Sequence, residues 1–439
     1  MALVAAFAIT ANAQVKTPAA AKQAVASAKA DTENPKKNAK FATWMKYGQA
    51  LYGAYEAATG SGWVGASRQE LQLVSKNEKC TAVETVSIQG QNWEKEVYET
   101  RNYYFDPMGF LRMIEVTHPV VDNALEDAVK AYEKAHNLDA KGSKTKDITA
   151  AIKQIADKFV EEAVCAYTLQ DYGKASYDFE QAVIALGTAP CSELDTNSLY
   201  NAGITAWQAG ELQRAKGFFE QCLEYGYYGS EGECYAKLAE IADKEGDPDK
   251  KCAILEEGFL KFPQGQGILV GLINHYSSQE GNADRLFELL AEAKRNEPNN
   301  ASIYYAEGNV HAKLGNYEEA KAQYRKSAEI DPNFYFGYVG EGIMFYNLAL
   351  KYSDEAANEM DYKKYDVLVA KMEKALKDCI EPFEKAFELC NDLNNKLGVA
   401  EYLKSTCFRF RMEDPSYMER YEKYKAFIEA NSAEAAPAQ

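Results

Sequence analysis

Prolines and glycines recur along this chain at a spacing of about 34 residues, a period found in arrays of paired helices. Pro263, Pro298 and Pro332 follow one another at this interval to within one residue, and Gly281 precedes Gly315 by the same interval. Each proline closes a segment in which two helical patterns are separated by a turn. A fixed period of this length is typical of a helical solenoid, in which each helix pair packs only on its neighbours. The period therefore predicts a mainly α chain built from an array of helix pairs.

The unit at residues 301–334 carries small residues in the middle of both helices. Gly308 lies in the first helix of the pair (helix A) and Ala320 in the second (helix B), with Tyr324 one turn later. Two helices approach to about 8–10 Å only where the side chains at their crossing are small. Gly308 and Ala320 therefore mark the predicted crossing point. Leucine at position 320 is expected to destabilise the fold by about 1–3 kcal/mol through overpacking.

The same unit resembles the tetratricopeptide repeat (TPR) family. The residues that carry the resemblance are Tyr304, Gly308, Gly315, Tyr317, Ala320, Tyr324 and Pro332, whereas Glu307 and Ser327 depart from the family pattern. Weaker copies are found at residues 156–189, 196–229, 232–265 and 267–300, and a further helix A at 335–349 has its helix B at about 366–389. The resemblance implies a right-handed α-solenoid of helix pairs, closed by two cap helices.

The first copy is split by a segment with a different pattern. Residues 41–55 form a good helix A, but the matching helix B begins only near residue 124. Between them, three stretches rich in Val, Ile, Tyr and Trp alternate with a period of two, which is the pattern of half-buried strands. DPMG at 106–109 is a turn sequence of the hairpin class. A small antiparallel β-meander is therefore predicted within the first repeat.

These patterns divide the chain into six predicted segments. They are a signal-peptide remnant (1–13), a flexible linker (14–40) for which a frayed helix is the alternative, a split first repeat with a β-insertion at about 80–121 (41–141), a TPR-like array (142–349), an extended last repeat with cap helices (350–430) and a disordered tail (431–439).

The opening stretch of the chain, MALVAAFAITANAQ, is uncharged and is apolar up to Asn12. The apolar run is too short to span a bilayer but fits the central region of a signal peptide, and ANA before Gln14 fits a cleavage site. We therefore expect cleavage after Ala13 and a periplasmic mature protein. The alternative is a buried N-terminal helix.

The ionisable residues exclude several classes of function. The net charge is −17 without a block of Lys or Arg, so nucleic acid and anionic membrane are not expected as partners. The four histidines show no metal-ligand spacing, and no phosphate-binding loop or nucleophile elbow occurs. Nine cysteines lack any CxxC pair, and both disulfides and small core residues remain open for them. No enzyme activity, cofactor or metal is predicted.

In the TPR family, helix A lines the inner face of the superhelix, and the resemblance carries this role to matching positions here. The residues predicted to contact a partner are Tyr52, Tyr167, Tyr200, Trp207, Tyr305, Asn309, Lys313, Phe336 and Tyr346, with Val160, Val164, Gln279 and Ile343 among the other inner-face positions. Aromatic rings give a large contact area at a low cost in conformational entropy. The alternative is that these residues pack against the insertion or the terminal segments.

Two functions follow as hypotheses. The first is a non-enzymatic scaffold of the bacterial cell envelope that binds a partner protein or peptide through the inner face, the β-insertion or both, and that associates with an outer-membrane complex. No integral membrane span is expected in it. The second is a glycan- or nutrient-binding protein of the outer envelope. Such proteins are usually anchored through a lipidated Cys, and no Cys follows Ala13 directly.

Overall fold

The computed structural model describes residues 16–75, 78–277 and 283–431. It divides into two compact units, Met1–Tyr227 (unit 1) and Tyr228–Gln439 (unit 2). Both consist mainly of paired helices, which confirms the predicted mainly α, TPR-like class. The predicted signal peptide, the inner-face position Gln279, the turn residue Gly281 and all of the predicted tail except Asn431 lie outside the described residues.

Unit 1 contains a leading helix, three helix pairs and a sheet. The helices are α1 (Pro18–Glu33), α2 (Phe41–Thr59), α3 (Arg68–Val74), α4 (Ala124–Leu138), α5 (Thr145–Thr168), α6 (Tyr172–Gly187), α7 (Thr196–Gln208) and α8 (Leu212–Glu224). The pairs that pack together are α2 with α4, α5 with α6 and α7 with α8.

Helix α1 corrects the predicted linker. Thr17 caps it by accepting a hydrogen bond from the backbone N–H of Ala20, and the helix packs on α2. Ala21, Val25 and Ala28 are buried on one side of it. These residues are spaced four and then three positions apart, so they form one stripe along the helix. The stripe is narrow and its side chains are small, so the sequence of this segment shows no clear apolar face. Packing against α2 stabilises this helix, and the linker prediction was wrong over these residues.

The first repeat is assembled across the insertion. An added Cβ at Gly48 in α2 would lie 3.0 Å from the Tyr132 ring in α4, so the two helices approach closely at that glycine. Leu51, Ala54 and Ala128 are fully buried between them. The split first repeat is therefore one helix pair whose two halves are distant in sequence.

The inserted segment forms a four-stranded antiparallel meander in the order β1-β2-β3-β4. The strands are β1 (Ala82–Ile88), β2 (Gln91–Val97), β3 (Arg101–Phe105) and β4 (Leu111–Val116). The β1–β2 turn places Gln89 and Gly90 at positive φ, as two-residue hairpin loops require. This sheet confirms the predicted β-meander, although one predicted stretch, residues 92–105, contains both β2 and β3.

Unit 2 contains three regular helix pairs, a longer pair and the terminal helices. These are α9 (Glu233–Lys244), α10 (Pro248–Lys261), α11 (Gln266–Ser277), α12 (Ala283–Asn296), α13 (Ala301–Lys313), α14 (Tyr317–Ile330), α15 (Phe336–Ala357), α16 (Tyr362–Asp378), α17 (Ile380–Leu389), α18 (Leu393–Phe410) and α19 (Pro415–Asn431). The single helix predicted at about 366–389 is in fact α16 followed by α17. Pro382 lies in the first turn of α17, where its missing N–H interrupts no helical hydrogen bond.

Tyr324 joins two successive repeats of unit 2. A Cβ added at Gly308 in α13 would lie 2.5 Å from Cδ1 of this ring, and one added at Gly340 in α15 would lie 2.6 Å from its Cε1. Ala320 is completely buried on the same helix as Tyr324. The small residues thus make room for one tyrosine that contacts both its own repeat and the next one. Tyr324 therefore holds α13 and α15 next to each other.

Candidate functional site

The three A helices α11, α13 and α15 line a groove of about 510 Å³, which we call the inner groove. Each helix contributes both apolar and polar side chains, and one pair from each helix shows the pattern. These residues are Ile273 and Asn274 from α11, Ala312 and Asn309 from α13, and Ile343 and Asn347 from α15. The groove therefore combines apolar surface with carboxamide groups on consecutive helices.

A chain of hydrogen bonds positions the polar groups of the inner groove. The Tyr324 hydroxyl donates to Oδ1 of Asn309 at 2.8 Å, and Nε2 of Gln266 donates to the Tyr305 hydroxyl at 3.1 Å. Burial raises the pKa of both tyrosines, so both hydroxyls remain protonated at neutral pH. Hydrogen bonds with Asn309 and Gln266 lower the pKa of Tyr305, but the effect of burial is larger. The Asn309 carboxamide is therefore held in a defined orientation.

These groups suit the recognition of a peptide backbone. A carboxamide offers both N–H donors and a carbonyl acceptor, which match the C=O and N–H groups of an extended chain. Asn274 and Asn347 are exposed, and Val270 beside them is 52% exposed. Lys313 is exposed at the end of α13, where a cation is favoured by the helix dipole. The arrangement provides hydrogen-bonding groups and apolar contacts for a bound segment.

Of the five predicted contact residues of unit 2, three line the inner groove, while Phe336 and Tyr346 do not. Tyr305, Asn309 and Lys313 all line the inner groove. Phe336 instead packs against Phe334 and Tyr335, with ring centroids 5.5 and 4.3 Å apart.

Tyr346 packs against Tyr402 of α18 at 4.9 Å, within the terminal core. Its position in the repeat pattern is that of an inner-face residue. The terminal helices cover it, because the chain continues beyond the last helix pair and folds back on α15.

The repeat analysis missed Asn274, Gln266 and Asn347 as groove residues. Asn274 precedes Asn309 by the same interval that separates Pro263 from Pro298, so the period could have identified it. Asn347 lies one turn after Ile343, on the longer helix α15. It follows the predicted contact residue Lys313 by 34 residues, so the period could have identified it as well.

Three of the four predicted contact residues of unit 1 pack against neighbouring tyrosine rings. Tyr52 packs against Tyr55 at 6.4 Å, and Tyr167 against Tyr172 at 5.7 Å. Tyr200 contacts Tyr227 at 5.6 Å. Trp207 is half-buried near the end of α7.

The inserted sheet covers part of the second A helix. Val160 and Val164 of α5 line a pocket of about 200 Å³ together with Met113 and Ile114 of β4. Val160 is therefore half-buried beside the insertion, whereas Val164 remains 48% exposed at the pocket. Trp63, which is 45% exposed, also lines the pocket and leaves apolar surface at its mouth.

A buried charge network lies next to this pocket. The Lys174 ammonium group contacts Glu162 at 3.0 Å and Asp178 at 2.6 Å, and the Tyr55 hydroxyl donates to Glu162 at 3.0 Å. One cation is thus shared by two carboxylates. Burial raises the pKa of Asp178 to about 6 although Lys174 acts in the opposite direction. The network joins α2, α5 and α6, and its role is structural.

The described residues form neither a membrane span nor a metal site. No helix there is both long and apolar enough to cross a membrane. No group of three or more His, Cys, Asp or Glu side chains in the described ranges is arranged to hold a metal ion. Six of the nine cysteines are buried, as expected of small core residues.

Comparison with known proteins identifies one repeat. Residues 301–334 match the tetratricopeptide repeat family. Protein SGT1 homolog of Oryza sativa subsp. japonica is 35% identical over 75 residues, or 17% of this chain and 20% of that protein. The chain thus matches about a fifth of the length of this relative.

Two solved structures show low overall similarity. A TPR repeats protein from Bacteroides fragilis is 17% identical with a TM-score of 0.23, covering 57% of this chain and 97% of that one. YrrB, a TPR protein with an unusual peptide-binding site, is 18% identical with a TM-score of 0.25, covering 48% of this chain and 96% of that one. At such TM-scores neither structure superposes well on the chain as a whole.

Proposed function

From the tetratricopeptide repeat at residues 301–334 and the inner groove around it, we propose that this protein is a non-enzymatic scaffold that binds an extended peptide segment of another protein. The observation that carries the proposal is the Asn309 carboxamide, held by the Tyr324 hydroxyl at 2.8 Å between apolar surfaces of neighbouring repeats. A pre-oriented group of this kind loses little entropy when a peptide binds.

The composition of the groove supports a peptide rather than a sugar. Glycan binding usually needs an exposed ring face, and Tyr305, the ring predicted to contact a partner here, is only 8% exposed. Its neighbours Tyr324, Phe334 and Phe336 lie with ring centroids 6.0–6.1 Å away. Glycan binding is therefore the alternative, and it would have to use another surface.

The experiment is selection of peptides from a random library on the purified chain, followed by fluorescence anisotropy. Asn309→Ala and Asn274→Ala should each weaken binding of a selected peptide by about tenfold, the effect of losing one to two hydrogen bonds. Asn299→Ala is the matched control, because Asn299 is exposed in the turn between α12 and α13 and does not line the groove. Its affinity should equal that of the wild type.

Two results would contradict the proposal. Selected peptides that bind the Asn274→Ala, Asn309→Ala double variant as tightly as the wild type would place the binding surface elsewhere. A chain that selects no peptide but binds a sugar on a glycan array would favour the glycan alternative. In both cases circular dichroism of the variants shows whether the fold is intact.

The protein is further proposed to act in the periplasm of a Gram-negative cell, on an envelope protein and in association with an outer-membrane complex. The support is the apolar, uncharged stretch at residues 2–10 with ANA before Gln14. An alkaline phosphatase fusion after Gln14 should be active, since this reporter folds only after export. An inactive but stable fusion would contradict the placement.

A further inference from the structure

The longer helix pair of unit 2, formed by α15 and α16, extends beyond the pair before it. Helices α15 and α16 have 22 and 17 residues, whereas α13 and α14 have 13 and 14. Ala349, Met372 and Ala375 are buried between α15 and α16, with Tyr352 and Val369 packed beside them. The far end of this pair, residues 350–371, is called the hairpin tip below. Its base is packed, since Tyr352 and Val369 of the tip lie against the core that Ala349, Met372 and Ala375 form.

The hairpin tip exposes large apolar side chains. Leu350 is 49% exposed, Met360 is fully exposed, and Tyr362, Tyr365 and Val367 are 77%, 42% and 54% exposed. Single exposed apolar residues are ordinary, whereas exposed apolar groups beside a groove indicate an interaction surface, and Val367 and Leu368 line such a groove here.

The hairpin tip also separates its charges. A shallow groove of about 860 Å³ runs between the two helices. One wall, from the end of α15 and the loop after it, carries Asp354, Glu355 and Glu359, and the other, from α16, carries Lys363, Lys364 and Lys371. Among the residues that the structure describes, none of these six side chains forms an ion pair. The Lys371 ammonium group lies 5.6 Å from the centroid of the Tyr352 ring, and each wall presents charge of one sign.

We propose that the hairpin tip binds the hairpin tip of a second copy of this chain. In a two-fold dimer the same surface is used by both subunits, so the surface must be complementary to itself. A two-fold axis along the hairpin sets the acidic wall of each copy opposite the basic wall of its partner. Val367, at the centre of the groove, then meets apolar surface of the other copy.

Other partners match this surface less well. A nucleic acid or an anionic membrane would complement the lysines but would face three carboxylates on the opposite wall. A basic peptide would have the converse mismatch. A second copy of this chain matches the acidic and the basic wall at once. Because each chain carries a net charge of −17, association also requires such a local match to overcome the general repulsion between copies.

The test is sedimentation velocity on the full chain and on two charge-reversal variants. The acid-wall variant is Asp354→Lys, Glu355→Lys, and the base-wall variant is Lys363→Glu, Lys364→Glu. Each should self-associate at least about tenfold more weakly than the wild type, because like charges then face each other. Both should fold, since lysine near a helix C-terminus and glutamate near an N-terminus are favoured by the helix dipole.

Mixing the two variants gives the decisive result. In an equimolar mixture, each wall of one variant faces a wall of opposite charge on the other, so a heterodimer of wild-type affinity should form. Glu318→Lys, Glu319→Lys is the control, since it makes the same change of charge at an exposed pair on α14. It should dimerise as the wild type does.

The proposal is overturned by any of three outcomes. They are a wild type that stays monomeric at about 100 µM, wall variants that dimerise as well as the wild type, and a mixture of folded variants that remains monomeric. Circular dichroism of each variant establishes folding in every case.

Discussion

The Tyr103 hydroxyl in β3 donates a hydrogen bond of 2.7 Å to the backbone carbonyl oxygen of Thr59, the last residue of α2. The backbone N–H of Gly62 donates to the same hydroxyl at 3.0 Å, and Thr100 donates to the carbonyl of Ala58 at 2.7 Å. The last carbonyls of a helix have no partner within it. The inserted sheet supplies those partners, which explains how it is held against the first repeat.

Replacing Tyr103 by Phe should therefore destabilise unit 1 by about 1–3 kcal/mol, because it leaves the Thr59 carbonyl without this donor in a buried site. Urea-induced unfolding followed by circular dichroism measures the change. Tyr177→Phe is the control, since the Tyr177 hydroxyl also donates one hydrogen bond, to the Glu126 carboxylate, but the residue is 43% exposed. It should change stability by less than about 0.5 kcal/mol. Equal effects of the two substitutions would contradict the role given to Tyr103.

Gly308→Ala should destabilise unit 2 by about 1–3 kcal/mol through overpacking, since the new methyl group would lie 2.5 Å from the Tyr324 ring. Gly398→Ala is a matched helical control, because nothing lies within 4 Å of the added Cβ in α18. It should be stabilising by about 0.4–1 kcal/mol, as alanine is in an open helix position. Thermal unfolding of both variants measures their stabilities. A Gly308→Ala variant as stable as the Gly398→Ala variant would contradict the close crossing of α13 and α14 at Gly308.

Asp178 should make stability depend on pH in an unusual direction. Its pKa is raised from 3.8 to about 6, so the folded state binds the proton more tightly than the unfolded state does. Stability from this group is therefore lost as pH rises through about 6 and is recovered as pH falls. Between about pH 7.5 and pH 5, the wild type should gain about 1 kcal/mol relative to Asp178→Asn. Urea titrations of both proteins at each pH give the difference in their free energies of unfolding. If this difference does not change with pH, the pKa of Asp178 is not raised in the folded state.

Tyr346→Ala should lower the stability of unit 2 and leave partner binding unchanged. The ring is half-buried and packs against Tyr402 at 4.9 Å in the terminal core, so its removal should cost about 2 kcal/mol. Lys313→Ala, at an exposed groove position, should leave the unfolding midpoint unchanged. Differential scanning calorimetry compares the two, and a Tyr346→Ala protein of wild-type stability would restore this residue as a candidate for partner contact.

Much of the helical array could be predicted because its signals are local. The spacing of Gly308, Ala320, Tyr324 and Pro332 specifies two helices, their crossing and their end within one repeat, and each such unit packs mainly on its neighbours. The alternation in the insertion likewise predicted strands, since a period of two places side chains on opposite faces of a sheet. Helix α1 escaped prediction because packing on α2 stabilises it more than its own pattern does.

The amino-acid sequence by itself determined the period, the helix pairs and the interruption of the first repeat. Only the tertiary structure decided which inner-face positions stay accessible. Val160 is half-buried beside a sheet inserted before it in the chain, and Tyr346 packs against a helix that follows it. A repeat pattern records where a side chain points relative to its own helix pair. It cannot record what a distant segment places over that side chain, because burial is the sum of contacts from the whole fold.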